Sequence, residues 1–141
     1  MIFLRNEISC GALVYCIENQ DVKFLLLRYS QGHWDFPKGN KEKGETNLET
    51  TRREIKEETG ISDIVFRDRF EKEITYNYSR QNEKISKKVI YFLAKTKATN
   101  VVLSSEHTDF VWELYENALK RLSYKNAKEI LTQGYNFLKH L

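Results

Sequence analysis

Three glutamates, Glu54, Glu57 and Glu58, stand at the spacing i, i+3 and i+4. In a helix that spacing sends all three side chains out from one face. Carboxylates held that close repel one another and raise each other's pKa values. A hard divalent cation removes the conflict, and Mg²⁺ or Mn²⁺ takes oxygen ligands of this kind. The same spacing also describes a solvated acidic helix face, which is common in a chain that is 30% charged. From these three residues alone the two readings are evenly matched.

Other residues offer chemistry only in context. Lys38 directly precedes Gly39 and can face a phosphate or merely solvent. Glu106 is an isolated acid in a polar stretch, and His33 reads as a surface-loop histidine. Trp34 and Phe36 alternate with Asp35, so either fits a core.

The element that must position the glutamates is legible in detail. The stretch from Gly39 to Ile61 predicts a glycine-rich turn, a helix over about 47–59 and a stop at Gly60. Thr46 followed by Glu49 is a capping-box signature. Leu48 and Ile55, with Thr51 and Thr59, mark the opposite side, which can pack on a sheet. Before this helix, the aliphatic and β-branched runs 8–17 and 22–29 flank the polar cluster Glu18–Asp21 and predict a β-hairpin. Gly11 inside the first strand permits close approach of another backbone or a ligand. Pro37, the only proline, fixes the approach to the turn.

After the helix, 64–78 and 87–95 predict two strands of a second hairpin, joined by a polar loop at 79–86. Arg80, Lys84, Lys87 and Lys88 gather near that loop and most simply protect an edge. A short strand is expected at 100–104. Ala118, Leu119 and Leu122 mark a short helix, and Ala127, Ile130, Leu131, Tyr135 and Leu138 mark a last one over 126–141, despite Gly134. The order hairpin, helix, hairpin, short strands and two helices predicts an α/β protein with a mixed sheet held between helices.

Bulk properties set the class. A chain of 141 residues is long enough for one domain with a real core, and 1–141 is read as a single domain. A net charge of +3 permits an anionic substrate without implying nucleic acid. Cys10 and Cys16 both lie in an apolar run and read as buried reduced thiols rather than a disulfide framework. No Cys/His spacing suits zinc. The opening stretch MIFLRNEIS is charged and too short in apolar residues for a signal peptide or a membrane span, so a cytoplasmic protein is expected.

The central stretch resembles the Nudix box, G-x5-E-x7-R-E-U-x-E-E-x-G-U, where U is aliphatic. Gly39, Glu45, Arg53, Glu54, Ile55, Glu57, Glu58, Gly60 and Ile61 fill every fixed position. Seven specified residues at about 6% each coincide by chance on the order of 10⁻⁹ per starting position. The resemblance implies a Nudix-like α/β/α sandwich. It extends to the hydrolases of diadenosine tetraphosphate that cleave asymmetrically. Trp34 and Pro37-Lys38-Gly39 are similar to their W-x-x-P-K-G entry. Lys87 with Val89, Ile90, Tyr91, Phe92, Leu93 and Ala94 resembles one of their strands. Leu103-Ser104, Glu106-His107, Phe110 and Trp112 resemble a later segment. The chain departs from that pattern at Asn40, where histidine is common, and at Phe110, where tyrosine is frequent. The second hairpin loop looks longer than usual, which leaves the register of Tyr76 and Tyr78 open.

The resemblance implies a metal-dependent hydrolase that cleaves a phosphoanhydride bond of a dinucleoside polyphosphate, releasing ATP and AMP from diadenosine tetraphosphate. It implies Mg²⁺, or Mn²⁺, held by Glu54, Glu57 and Glu58 and joined by Glu106. It implies one glutamate as general base: Glu54 is favoured, with Glu58 and Glu106 as rivals. Arg53 and Glu45 would brace the turn against the helix, with Gly39 and Gly60 structural. Lys38, Lys87 and His33 are candidates for phosphate contact, and Tyr76 and Phe110 for stacking adenine, weighed against core packing. Two alternatives stand: an RNA 5′-pyrophosphohydrolase, or another hydrolase of a nucleoside diphosphate linked to a further moiety, using the same chemistry, and a non-catalytic nucleotide-sensing or RNA-binding module. No membrane and no stable nucleic-acid partner is expected, and the oligomeric state is open.

Overall fold

A computed structural model describes residues 3–141; Met1 and Ile2, at the head of the charged opening stretch, lie outside the described residues. In chain order the elements are β1 (Phe3–Glu18), β2 (Asp21–Tyr29), β3 (Trp34–Asp35), β4 (Lys38–Asn40), α1 (Asn47–Thr59), β5 (Val65–Arg80), β6 (Glu83–Lys95), β7 (His107–Leu114), α2 (Tyr115–Arg121) and α3 (Lys125–Lys139). Among the described residues the strands form one seven-stranded mixed sheet. Its order is β3-β2-β1-β6-β5, with β4 paired to β1 and β7 to β2.

The first hairpin forms as the sequence predicts, and its turn explains its register. Asn19 and Gln20 both have positive φ, at 52° and 72°, the pair of left-handed residues that a two-residue hairpin turn prefers. Only Tyr15↔Phe24 to Glu18↔Asp21 pair across it. β1 then leaves β2. On that side it takes up β4 from Ser9↔Asn40 to Gly11↔Lys38. On the other side it runs parallel to β6 from Phe3↔Glu83 to Tyr15↔Lys95. The splay between β1 and β2 is what lets the turn into α1 enter the sheet. A β-carbon on Gly11 would overlap Pro37 O and Lys38 Cβ, so the close approach read at Gly11 is to backbone.

Side-chain alternation divides the core between two faces. Leu13, Tyr15, Phe24, Leu26, Tyr91 and Leu93 point to one face, under Leu122 and Ile130 of the α2–α3 side. Cys10, Ala12, Val14, Leu25, Leu27 and Phe92 point to the other, under Ile55 of α1. This is the α/β/α sandwich expected. Both cysteines are free and buried, as the sequence suggests. No helix among the described residues is long and apolar enough to cross a membrane.

Three expectations need correction. The polar stretch 79–86 is not a loop: β5 runs to Arg80, β6 starts at Glu83, and Gln81 turns with φ 54°. Polar residues extend the ladder because β6 pairs with β5 on one side and with β1 on the other, so backbone bonding supports the strand where side chains do not. Segment 100–104 is not a strand. Its Val102 and Ser104 N–H groups instead donate to Thr59 O (2.9 Å) and Glu58 O (3.4 Å), at the carbonyl end of α1. Finally, Leu48 is not packed; it is 44% exposed, and Ile55 alone supplies the large apolar contact of α1.

Candidate active site

α1 carries the site, and its ends are fixed locally. Thr46 Oγ1 accepts from the Glu49 N–H (3.1 Å), and Glu49 Oε1 accepts from the Thr46 N–H (2.8 Å), the reciprocal cap that the sequence signals. Gly60 ends the helix at φ 76°. Thr51 and Thr59 return their hydroxyls to carbonyls one turn earlier, so these polar residues can lie buried against the sheet.

The three glutamates of the helix are not equivalent. The side chain of Glu57 is 57% exposed, that of Glu54 13% and that of Glu58 5%. The expected single acidic face is therefore split, with Glu58 turned beneath the surface. Burial is the main force pushing the Glu58 pKa far above the usual carboxylate range, and the adjoining Glu54 carboxyl adds to it. Lys38 N–H donates to Glu58 Oε1 at 3.4 Å. Gly39 makes room for Glu54: a β-carbon there would overlap the Glu54 carboxylate.

Arg53 organises the outer side. Its Nε and Nη2 donate to Glu45 at 2.6 and 3.0 Å, and Nη2 also reaches Asn40 O at 2.9 Å. Nη1 donates to Glu54 Oε1 (2.8 Å) and Glu57 Oε2 (3.2 Å). The two-point contact between Arg53 and Glu45 matches guanidinium to carboxylate geometry and ties the glycine turn to the helix. It draws the Glu45 pKa down to about 2, with the Arg53 hydrogen bond as the leading cause. The Arg53–Glu57 pair follows from their i, i+4 spacing, whereas the reach of Arg53 to the adjacent Glu54 does not.

A cavity of about 500 Å³ opens over these groups. Glu54, Glu57, Glu58, Glu106, Lys38 and Lys87 all line it. Glu106 comes from the loop before β7, held there by its carbonyl accepting from Ser30 N–H (3.0 Å). Burial and the neighbouring Lys38 lower the Lys87 pKa. Burial also pulls on Lys38, but Asp35, Tyr76 and Glu58 outweigh it and raise its pKa. Asp35 Oδ2 lies 3.1 Å from Lys38 Nζ.

As the side chains stand, no three His, Cys, Asp or Glu groups among the described residues are gathered to hold a metal ion. The donor set nonetheless fits a hard cation: it is all carboxylate oxygen, and the buried Glu58 beside Glu54 carries a charge conflict that such an ion relieves.

A second cavity of about 510 Å³ adjoins the first, and Lys38 lines both. Its walls are Tyr76, Ile74, Tyr91, Tyr124, His33 and Asp35. His33 faces this groove rather than the acidic cavity. It stacks on Tyr29 (centroids 4.6 Å, 7°) and lies 5.4 Å from Tyr124. Tyr124 is a residue that the sequence reading missed: it sits 52% exposed at the start of α3, with nothing in its neighbours to mark it. Ser123 places it, exchanging hydrogen bonds with the Trp34 backbone at 2.9 and 3.3 Å. Phe110 lines neither cavity; it packs against the α1-side cluster through its pairing with Leu27.

Residues 10–133 match the NUDIX domain. This chain belongs to the NUDIX family. Among curated NUDIX relatives, the asymmetrical bis(5′-nucleosyl)-tetraphosphatase of Mus musculus is 38% identical, over 92% of this chain and 94% of its own. The RNA pyrophosphohydrolase of Helicobacter pylori (strain ATCC 700392 / 26695) is 35% identical over a shorter stretch, 55% of this chain and 54% of its own. Among solved structures, a binary complex of the C. elegans Ap4A hydrolase superposes with a TM-score of 0.87 at 28% identity, covering 96% of this chain and 99% of that one.

Proposed function

We propose that this chain, as a single NUDIX domain, is a metal-dependent hydrolase of dinucleoside polyphosphates that takes diadenosine tetraphosphate to ATP and AMP. The observation that carries this reading is the junction at Lys38, where a carboxylate-lined cavity meets an aromatic groove. A dinucleoside polyphosphate has those two parts in the same order: bridging phosphates, then a nucleoside. Near full-length similarity to the murine tetraphosphatase supports the same substrate class.

Mg²⁺, replaceable by Mn²⁺, would be held by Glu54, Glu57, Glu58 and Glu106, where it would neutralise phosphate charge and lower the pKa of a bound water. Lys38 and Lys87 take phosphate oxygens in their cavity, and His33 bounds the groove beyond Lys38. Tyr76 and Tyr124 offer rings to the purine. Glu54 accepts the proton of the attacking water, its carboxylate steadied by Arg53 Nη1; Glu58 and Glu106 are its rivals. The water oxygen forms the new bond to phosphorus, the bridging P–O bond breaks, and a nucleotide leaves. Buried thiols, with Cys10 pushed up to about 11 by burial, accord with a reducing, cytoplasmic setting.

A second reading, release of pyrophosphate from RNA 5′ ends, is favoured by the Helicobacter relative over about half the chain. A divalent-metal-supplemented panel with product identification separates the two. The proposal expects ATP and AMP from diadenosine tetraphosphate, abolished by chelator and reduced about 10²-fold or more in kcat by Glu54→Gln. Pyrophosphate from RNA ends with an inert dinucleotide would establish the second reading. Nucleotide binding without turnover would point to a non-catalytic module.

A further inference from the structure

His107 opens β7 with its imidazole fully buried. Its two nitrogens face different partners. Nδ1 lies 3.0 Å from Ser104 Oγ, and Nε2 lies 3.4 Å from Glu58 Oε1. Among the described residues Nε2 has no aligned hydrogen-bond partner, although solvent does not reach it.

The Glu58 side assigns the ring. Ser104 Oγ accepts the Glu106 N–H at 3.3 Å and retains both a hydroxyl hydrogen and a second lone pair, so it suits either tautomer. Directed at Nδ1, that hydrogen makes Nδ1 the acceptor and puts the ring proton on Nε2, beside Glu58. The opposite tautomer would need Glu58 to keep a proton of its own, a form closed to a carboxylate that is ligating a cation. The surroundings hold this arrangement rigid. The Tyr29 ring packs edge-on at 4.4 Å, with its hydroxyl donating to Phe36 O at 2.8 Å. His107 N–H donates to Ser104 O at 3.2 Å, and Ser104 N–H donates to Glu58 O at 3.4 Å, so one serine links α1 to β7.

We propose that Ser104 and His107 form a positioning relay for Glu58: the serine hydroxyl supports the ring in its Nε2–H tautomer, and that N–H holds the Glu58 carboxylate in place. The relay rests on the proposed role of Glu58 as a cation ligand. Groups that orient metal ligands in this way change affinity about 10–100-fold when removed. The His-Glu contact also couples the loop carrying Glu106 to the helix carrying Glu58.

The test has two arms. Long-range ¹H–¹⁵N NMR of the imidazoles reads the tautomer directly, with only His33, His107 and His140 to assign. The relay requires Nε2–H at His107 in the Mg²⁺-saturated wild-type protein, and mixed tautomers in Mg²⁺-saturated Ser104→Ala. Calorimetry with Mg²⁺ alone, after a melting curve establishes that each variant is folded, reads the holding of Glu58. His107→Leu should weaken Mg²⁺ binding about 10–100-fold. His107→Gln, whose amide nitrogen reaches the position of Nε2, should restore most of it. An Nδ1–H tautomer in the Mg²⁺-saturated wild type, or equal affinity in the Leu and Gln variants, overturns the relay. Absence of any Mg²⁺ binding by the wild type would instead remove the ligand role of Glu58 on which the relay rests, a result distinct from an Nδ1–H tautomer with Mg²⁺ bound.

Discussion

Glu58→Gln should make the metal-free protein more stable, and the gain should grow with pH. Glu58 is 4% exposed, and burial beside Glu54 raises its folded-state pKa. In the unfolded chain a glutamate titrates near 4.3. Above that pH the unfolded state has lost the proton and the folded state keeps it. The unfolded state then binds one proton fewer, so unfolding becomes easier as pH rises. The slope is about 1.4 kcal/mol per pH unit for one proton, and it continues until the folded pKa is reached. From pH 5 to pH 7 the cost is therefore at most about 2.7 kcal/mol. Glutamine has nearly the shape of the protonated acid, keeps an acceptor for the Lys38 N–H, and does not titrate. His33 and His107 have lowered pKa values and tilt the curve the other way, since their stabilisation is lost as pH falls. His33 is common to both proteins and cancels, whereas His107, 3.4 Å from Glu58, titrates as part of one pair with it, so the difference between variants reports that pair. Urea denaturation in chelator at pH 5, 6 and 7 is the assay. A wild type that parallels the variant across this range, or a variant less stable at pH 7, would refute the reasoning.

Other consequences are quicker to check. Tyr124→Ala and Tyr76→Ala should each raise KM for a dinucleoside tetraphosphate with a smaller effect on kcat, as loss of about 1–3 kcal/mol of base stacking predicts; unchanged KM in both would remove the groove from the substrate site. Gly39→Ala should lower kcat with little change in melting temperature, because its methyl must displace the Glu54 carboxylate, the far end of a flexible side chain. A fully active alanine variant would contradict that packing.

What the sequence announces and what it conceals follow from where the information lies. Helix α1 is written locally: Thr46 and Glu49 cap it, Gly60 stops it, and each signal acts within a few residues. The brace between Arg53 and Glu45 was legible through the resemblance of the box. The burial of Glu58 was not, because i, i+4 spacing says which side chains neighbour each other, while the sheet beneath decides which is covered. β3, β4 and β7 escaped for a similar reason. They are short or weakly alternating; β3 and β4 take the ladder positions that β1 and β2 leave as they splay, and β7 pairs along the opposite edge of β2. The start of β6, residues 83–86, is held by pairing with β1, some 80 residues away in the chain. Tyr124 reaches the groove only because Ser123 is tied to Trp34.

The central claim is that the acidic cavity and the aromatic groove act together, one holding a cation and phosphates, the other a base. Anomalous diffraction from crystals grown with Mn²⁺ and a non-hydrolysable diadenosine tetraphosphate analogue tests it most directly. The account predicts a manganese peak bounded by Glu54 and Glu58, phosphates at Lys38 and Lys87, and a purine between Tyr76 and Tyr124. Manganese bound elsewhere, or an analogue seated away from Lys38, would contradict it.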